Sequence, residues 1–146
     1  MPDTPSQLEL TLRAGRFAIT TELTPPVSFD ADDLLRKAQP LKGLADAVNV
    51  TDGASARAHM SALAAACLIA RDGVEPILQL TCRDRNRIAL QADLMGAAAL
   101  GIHNLLLLTG DDPKAGDQPD TKPVFDIDST ALTAMARVMR EQGELP

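Results

Sequence analysis

Tryptophan and tyrosine are absent from this 146-residue sequence, and three phenylalanines bring the aromatic share to only 2%. A core without large rings has to be built from Leu, Ile, Val and Ala, and Ala-rich helices lying close on a flat layer are the simplest way to do so. Positive charge is also short. Against 20 Asp and Glu stand 14 Lys and Arg, a formal net charge of -6, which excludes the clustered positive field of a general nucleic-acid or anionic-membrane surface. Small anionic ligands need only a few local donors and stay open. Of the two cysteines, Cys67 and Cys82, neither has a second one nearby, and no Cys/His set has zinc spacing. The expected setting is therefore a reducing cytoplasm with free thiols and no metal. The longest uncharged apolar run, residues 62–70, is too short to cross a bilayer, and the N-terminal MPDTPSQLEL lacks the basic-then-apolar build of a signal peptide.

What is present is an ordinary globular composition, 45% hydrophobic and 23% charged, in a length that buries roughly two-thirds of its unfolded surface as one domain. Residues 1–15, with Pro2, Pro5 and Gly15, read as a flexible leader, with order beginning at Arg16. Residues 17–23 form a first strand, ended by Pro25 and Pro26. Ser28 or Asp30 caps a helix carrying Leu34, Leu35, Ala38 and Leu41, broken near Pro40. The same unit then recurs. Residues 47–51 are a second strand, followed by Asp52-Gly53 and an Ala-rich helix from about Ser55 to Arg71. Residues 74–81 are a third strand, followed by a helix capped by Asp84 and ending at Gly101. Residues 102–109 are a fourth strand, whose four consecutive leucines suit burial on both faces. A loop rich in Gly, Asp and Pro leads to a last helix starting near Asp128 or Ser129.

Four strand–helix units in series predict an α/β fold with parallel strands. Length by itself favours an open doubly wound sheet, because a closed (β/α)8 barrel takes about 250 residues. In either case ligands bind beyond the carboxyl ends of the strands. Polar residues collect there: Glu22 after the first strand's Thr21; Asn49, Thr51 and Asp52; Gln79, Thr81, Arg83 and Asp84; and Thr109, Gly110, Asp111 and Asp112. Simpler roles compete for several of them. Asp52, Asp84 and Asp128 fit helix caps, Asp111-Asp112-Pro113 fits a turn, and Arg83, Arg85 and Arg87 fit a solvated helix start or a local anion site, the solvated role being the simpler. His59, in a helix, and His103, at a strand entrance, fit surface or packing roles. Cys67 fits a small core residue, whereas Cys82 at a strand end has the better functional claim. Glu22, at the end of a strand before two prolines, is expected to be partly desolvated, with a pKa raised towards general-acid use. No Gly-rich phosphate fingerprint occurs.

Taken together, Thr21-Glu22-Leu23-Thr24-Pro25-Pro26, Val50-Thr51-Asp52-Gly53, Leu80-Thr81-Cys82-Arg83-Asp84 and Leu108-Thr109-Gly110-Asp111-Asp112-Pro113 resemble the strand-end segments E-[FL]-x-P-P, V-T-x-G, L-T-C-x-D and G-D-x-P of methylenetetrahydrofolate reductases. Each is weak by itself; four in order and in register over residues 16–143 are strong. The LTCRDRN and LTGDDPKAGD wording is similar to reductase portions fused to homocysteine methyltransferases. The resemblance implies a TIM barrel, so that residues 16–146 form its N-terminal half and the chain is an incomplete fragment of the enzyme. It also implies reduction of 5,10-methylenetetrahydrofolate to 5-methyltetrahydrofolate, in cytoplasmic one-carbon metabolism, by hydride from NADH or NADPH via FAD. Glu22 takes the general-acid position, Asp111 the position that holds the pterin near the flavin, and Thr51, Gln79, Leu108, Thr109 and Gly110 line the flavin. Glu22, Gln79 and Asp111 face the folate. Gln79 stands where many members have His, and Thr109 where others have Arg. Two alternatives accompany this reading: a non-catalytic folate-binding or self-associating half-barrel, which makes a homo-oligomer, and a pterin methyltransferase.

Overall fold

The computed structural model describes residues 5–146. Its one sheet holds β1 (Thr20–Leu23), β2 (Ala47–Val50), β3 (Pro76–Thr81) and β4 (Asn104–Leu108), all parallel and in the order β1-β2-β3-β4. Around them run α1 (Gln7–Arg13), α2 (Ala31–Ala38), α3 (Ala62–Arg71), α4 (Arg87–Ala99) and α5 (Ser129–Gln142).

Register decides which face of the sheet the helices cover. Leu23 lies beside Val50, Val50 beside Leu78, and Leu80 beside Leu107, so these side chains share one face. Both apolar clusters build on that face. One joins Leu23, Val48, Val50 and Leu78 to α2 and α3; the other joins Leu80, Cys82 and Leu107 to α4 and α5. In α3 the buried residues Ala62, Ala65, Ala66 and Ile69 are spaced as one helical stripe, and their small side chains let the helix approach β2 and β3 closely. Buried Leu90, Leu94 and Ala97 do the same in α4, and Leu132 and Met135 in α5. A doubly wound sheet would reverse its strand order and carry helices on both faces. Sequential order with α2 to α5 on one side is instead the arrangement of half a (β/α)8 barrel, so the expectation from length gives way to the one from resemblance.

Several local expectations are corrected. Within the stretch read as a leader, Ser6 caps α1 by accepting from the Glu9 amide at 3.0 Å, and Thr11 is buried; residues 1–4 lie outside the described residues. This helix closes the amino ends of the strands. Ser6 donates to Asn104, the Gln7 and Leu8 amides donate to Glu75, and Thr11 donates to Asp46. β1 begins at Thr20 because Phe17 and Ile19 stay exposed. The Ala-rich helix starts at Ala62, not Ser55. Gly53, Ser55 and Ala56 all have positive φ, and the segment that follows is fastened to the loop after β1 by the Met60 amide donating to the Pro26 carbonyl. Asn86, not Asp84, caps α4, whereas Asp30 and Asp128 cap α2 and α5 as expected. His59 sits in the loop before α3, outside any helix, with Nδ1 at 3.0 Å from the Arg57 carbonyl.

β4 departs most from its sequence. Leu105 and Leu106, expected to be buried on both faces, are 37% and 40% exposed. As the edge strand, β4 has a neighbour on one side only, and among the described residues no second layer lies over the inner face. No helix is long and apolar enough to cross a membrane.

Candidate functional site

The face opposite the helices carries Glu22 beside Asn49, Asn49 beside Ile77, Gln79 beside Leu106, and Thr81 beside Leu108. Thr51 continues the same alternation one step beyond β2, its amide donating to the Leu23 carbonyl at 3.1 Å. Glu22, Thr51, Gln79 and Leu108 are therefore brought onto one surface at the carboxyl end of the sheet. Glu22 is exposed, against the expected desolvation, because among the described residues nothing is packed over β1 on this side. Thr51 and Gln79 are buried.

Two buried hydroxyls have no hydrogen-bond partner among the described residues: Thr21, on the helix-facing side, and Thr51, on the inner face. A buried polar group without a partner costs about 1–3 kcal/mol, which a ligand group bonded to it would recover. With the Gln79 amide and the Glu22 carboxyl on the same face, the donor and acceptor set fits the polar edge of a planar heterocycle such as a flavin or pterin ring.

Asp52 is no helix cap. Its Oδ2 accepts from the Thr81 amide and from Thr81 Oγ1, both at 2.9 Å, and from Arg85 Nη1 at 2.7 Å. Arg85 Nε pairs in turn with Asp93 on α4 at 2.8 Å. Burial works against the charge on Arg85, but Asp52, with Asp93 and Asp84 behind it, outweighs burial and raises its pKa. Arg83, expected to be solvated, is only 5% exposed. It grips Asp84 through Nε at 2.9 Å and Nη2 at 2.7 Å, which raises its pKa, and donates to the Gly53 carbonyl at 3.1 Å. Gly110, at φ +100°, makes the room: a Cβ there would stand 3.0 Å from Arg83 Cβ and 3.2 Å from Thr81 Cβ. Arg87 fits the solvated reading, paired with Asp126 at the surface.

Asp111 is exposed and accepts from the Ser55 amide at 3.0 Å, so the loops after β2 and β4 meet over the site. Thr109 is set apart from the inner face. Its Oγ1 accepts from the Ser129 amide at 3.2 Å and lies 3.1 Å from Ser129 Oγ, at the start of α5. Cys82 faces the helices, fully buried, and burial pushes its thiol up, with Asp128 adding and Arg85 opposing. Its expected functional claim lapses. Asp52 and Arg83 stand among the strand-end polar residues, but residue by residue they and Arg85 fit the simpler roles of helix cap and solvated charge. The available signal was their clustering at consecutive strand ends, because the pairing of Asp52 with Arg85 spans two strands and leaves no local pattern.

The profile of a protein family described as methylenetetrahydrofolate reductase matches residues 7–145, nearly the whole chain. No curated protein matches it.

Proposed function

Because the chain belongs to the methylenetetrahydrofolate reductase family, we propose that its inner sheet face binds 5,10-methylenetetrahydrofolate and serves its reduction to 5-methyltetrahydrofolate with NADH or NADPH as donor. The observation that carries the reading is the common face of Glu22, Thr51 and Gln79, with the Thr51 hydroxyl buried and unpartnered.

Opening the imidazolidine ring requires a proton on the departing nitrogen, otherwise a poor leaving group, and Glu22 supplies it as general acid. Asp111 would hold the pterin, and its carboxylate would lower the reduction potential of a flavin bound near it by disfavouring negative charge there. Thr51, Gln79, Leu108 and Gly110 would hold the flavin ring, and Gln79 would face the folate as well; Thr109, engaged by Ser129, drops out of that set. When bound, FAD supplies a two-electron carrier between the nicotinamide and the folate methylene carbon. Glu22→Gln tests the assignment. The folate half-reaction is expected to fall by about 10²–10⁴-fold, the range of general-acid contributions, while reduction of the flavin by NAD(P)H continues. An unchanged folate half-reaction removes Glu22 from the role.

A second reading, a self-associating half-barrel that binds folate without catalysis, is favoured by the free edge of β4 and its exposed Leu105 and Leu106, since open apolar edges invite pairing. Native mass, together with the visible absorbance of bound flavin, discriminates the two. A folate-binding oligomer without flavin or turnover supports the second.

A further inference from the structure

The ladder between β2 and β3 stops at Val50 beside Leu78, whereas β3 and β4 stay paired as far as Thr81 beside Leu108. Above that point β2 leans on β1, through the Thr51 amide to Leu23, and β3 on β4, through the Cys82 amide to Leu108. Amides alternate sides along a strand, so the Thr81 amide points towards β2, where no backbone partner remains. The Asp52 carboxylate takes that amide. A side chain thus spans the gap that the ladder leaves, and Thr51, with its buried, unpartnered hydroxyl, is the residue directly before Asp52.

The span is charged and nearly closed to water: the side chains of Asp52 and Arg85 are 8% and 19% exposed. Arg85 also reaches the Thr81 carbonyl at 3.3 Å, and Asp93 holds it from α4. A charge-assisted, two-pronged contact of this kind fixes both distance and direction. Asp52 directly follows Thr51 and directly precedes Gly53, where the turn that presents the Ser55 amide to Asp111 begins.

We propose that Asp52 and Arg85 are positioning residues, which tie the carboxyl ends of β2 and β3 at a fixed spacing and thereby set Thr51 and Asp111 for the ligand. This rests on the reading of the inner face as the folate and flavin site. Neither residue touches the reacting atoms; both act through Thr51, Thr81 and the Ser55 turn. Binding and catalytic groups have to be held to within about 0.5 Å of their productive geometry, so a shift of the strand ends is sufficient to weaken binding.

The test uses the full chain, with Asp52→Asn, Arg85→Ala, Arg85→Lys and, as an ion-pair change outside the network, Arg87→Ala. Hydrogen exchange reads the Thr81 and Ser55 amides, and titration with 5-methyltetrahydrofolate and with FAD reads affinity. Asp52→Asn and Arg85→Ala are expected to speed exchange at both amides and to weaken ligand binding by about tenfold. Arg85→Lys should restore part of the affinity, because an ammonium still meets Asp52, and Arg87→Ala should change neither quantity. Exchange that stays slow in Asp52→Asn and Arg85→Ala overturns the proposal. So does faster exchange with undiminished affinity, which leaves the pair a purely structural brace. A wild-type chain that binds neither probe overturns the functional reading and with it the ligand role of the pair, and is recognised because it fails before any substitution is made.

Discussion

Asp111 Oδ2 accepts the Ser55 amide at 3.0 Å across 56 positions of sequence, and Ser55 holds a left-handed backbone, φ 57°, to present it. Side chains rarely adopt that conformation outside glycine, and it persists only where surrounding contacts over-determine it. The contact gathers the loops of two strands over the inner face.

Asp111→Ala is expected to free the Ser55 amide, raising its hydrogen exchange, while global stability changes by less than about 1 kcal/mol because the bond is exposed. Loss of folate or flavin affinity without a matching loss in denaturant midpoint would separate the site role of Asp111 from a fold role.

Gly116 lies against the same turn. A Cβ on it would stand 2.0 Å from the Ala56 carbonyl oxygen and 2.8 Å from the carbonyl carbon, both backbone atoms that cannot swing aside. Gly116→Ala is expected to cost about 1–3 kcal/mol, as overpacking does, and to loosen the Asp111–Ser55 contact. A urea midpoint equal to wild type would show that the two loops part freely.

At the opposite end of the sheet, Asp46 accepts the Ile19 amide at 2.8 Å and Thr11 Oγ1 at 3.1 Å. The bond from Ile19 chiefly, then those from Thr11 and the charge of Arg16, hold its carboxyl below the ordinary value of 3.8 in spite of some desolvation. A folded-state pKa below the unfolded one means that the contribution is complete above 3.8 and disappears as pH falls through the lower, folded value. Asp46→Asn should therefore flatten the acid limb of the melting-temperature profile. An acid limb unchanged in the variant would place the acid sensitivity elsewhere.

Cys82 is fully buried with its thiol pushed up, whereas Cys67 is half-buried. Reactivity follows thiolate and access, so a thiol reagent should modify Cys67 first in the native protein and reach Cys82 only on unfolding. Cys67→Ser should abolish the native phase; residual fast labelling in that variant would show that the layer of α4 and α5 opens.

Much of the architecture was legible because it is written in local chemistry. Asp30 and Asp128 announce their helices, Pro40 marks a real break where the chain tightens into a 3-10 turn at Gln39–Leu41, and the stripe from Ala62 to Ile69 can face only one way. α1 reads as leader in the sequence because Pro2, Pro5 and Gly15 around it suggest loose chain. Its anchors are Glu75, Asp46 and Asn104, far away in sequence. The leucines of β4 misled for a related reason. A run of four describes the side chains but not the position of the strand at the sheet's edge.

The alternation of strands and helices, the aliphatic core and the polar character of the strand ends are all written in local patterns, since each depends on residues a few positions apart. Only the tertiary structure decided that Glu22, Thr51 and Gln79 share a face, that Thr109 turns to Ser129, and that Asp52 spans the gap to Thr81 with Arg85 behind it. Those outcomes depend on register and on where a ladder stops. Such properties belong to the packing of whole elements, and a carboxylate that reads as a helix cap becomes a strut when the strand beside it moves away.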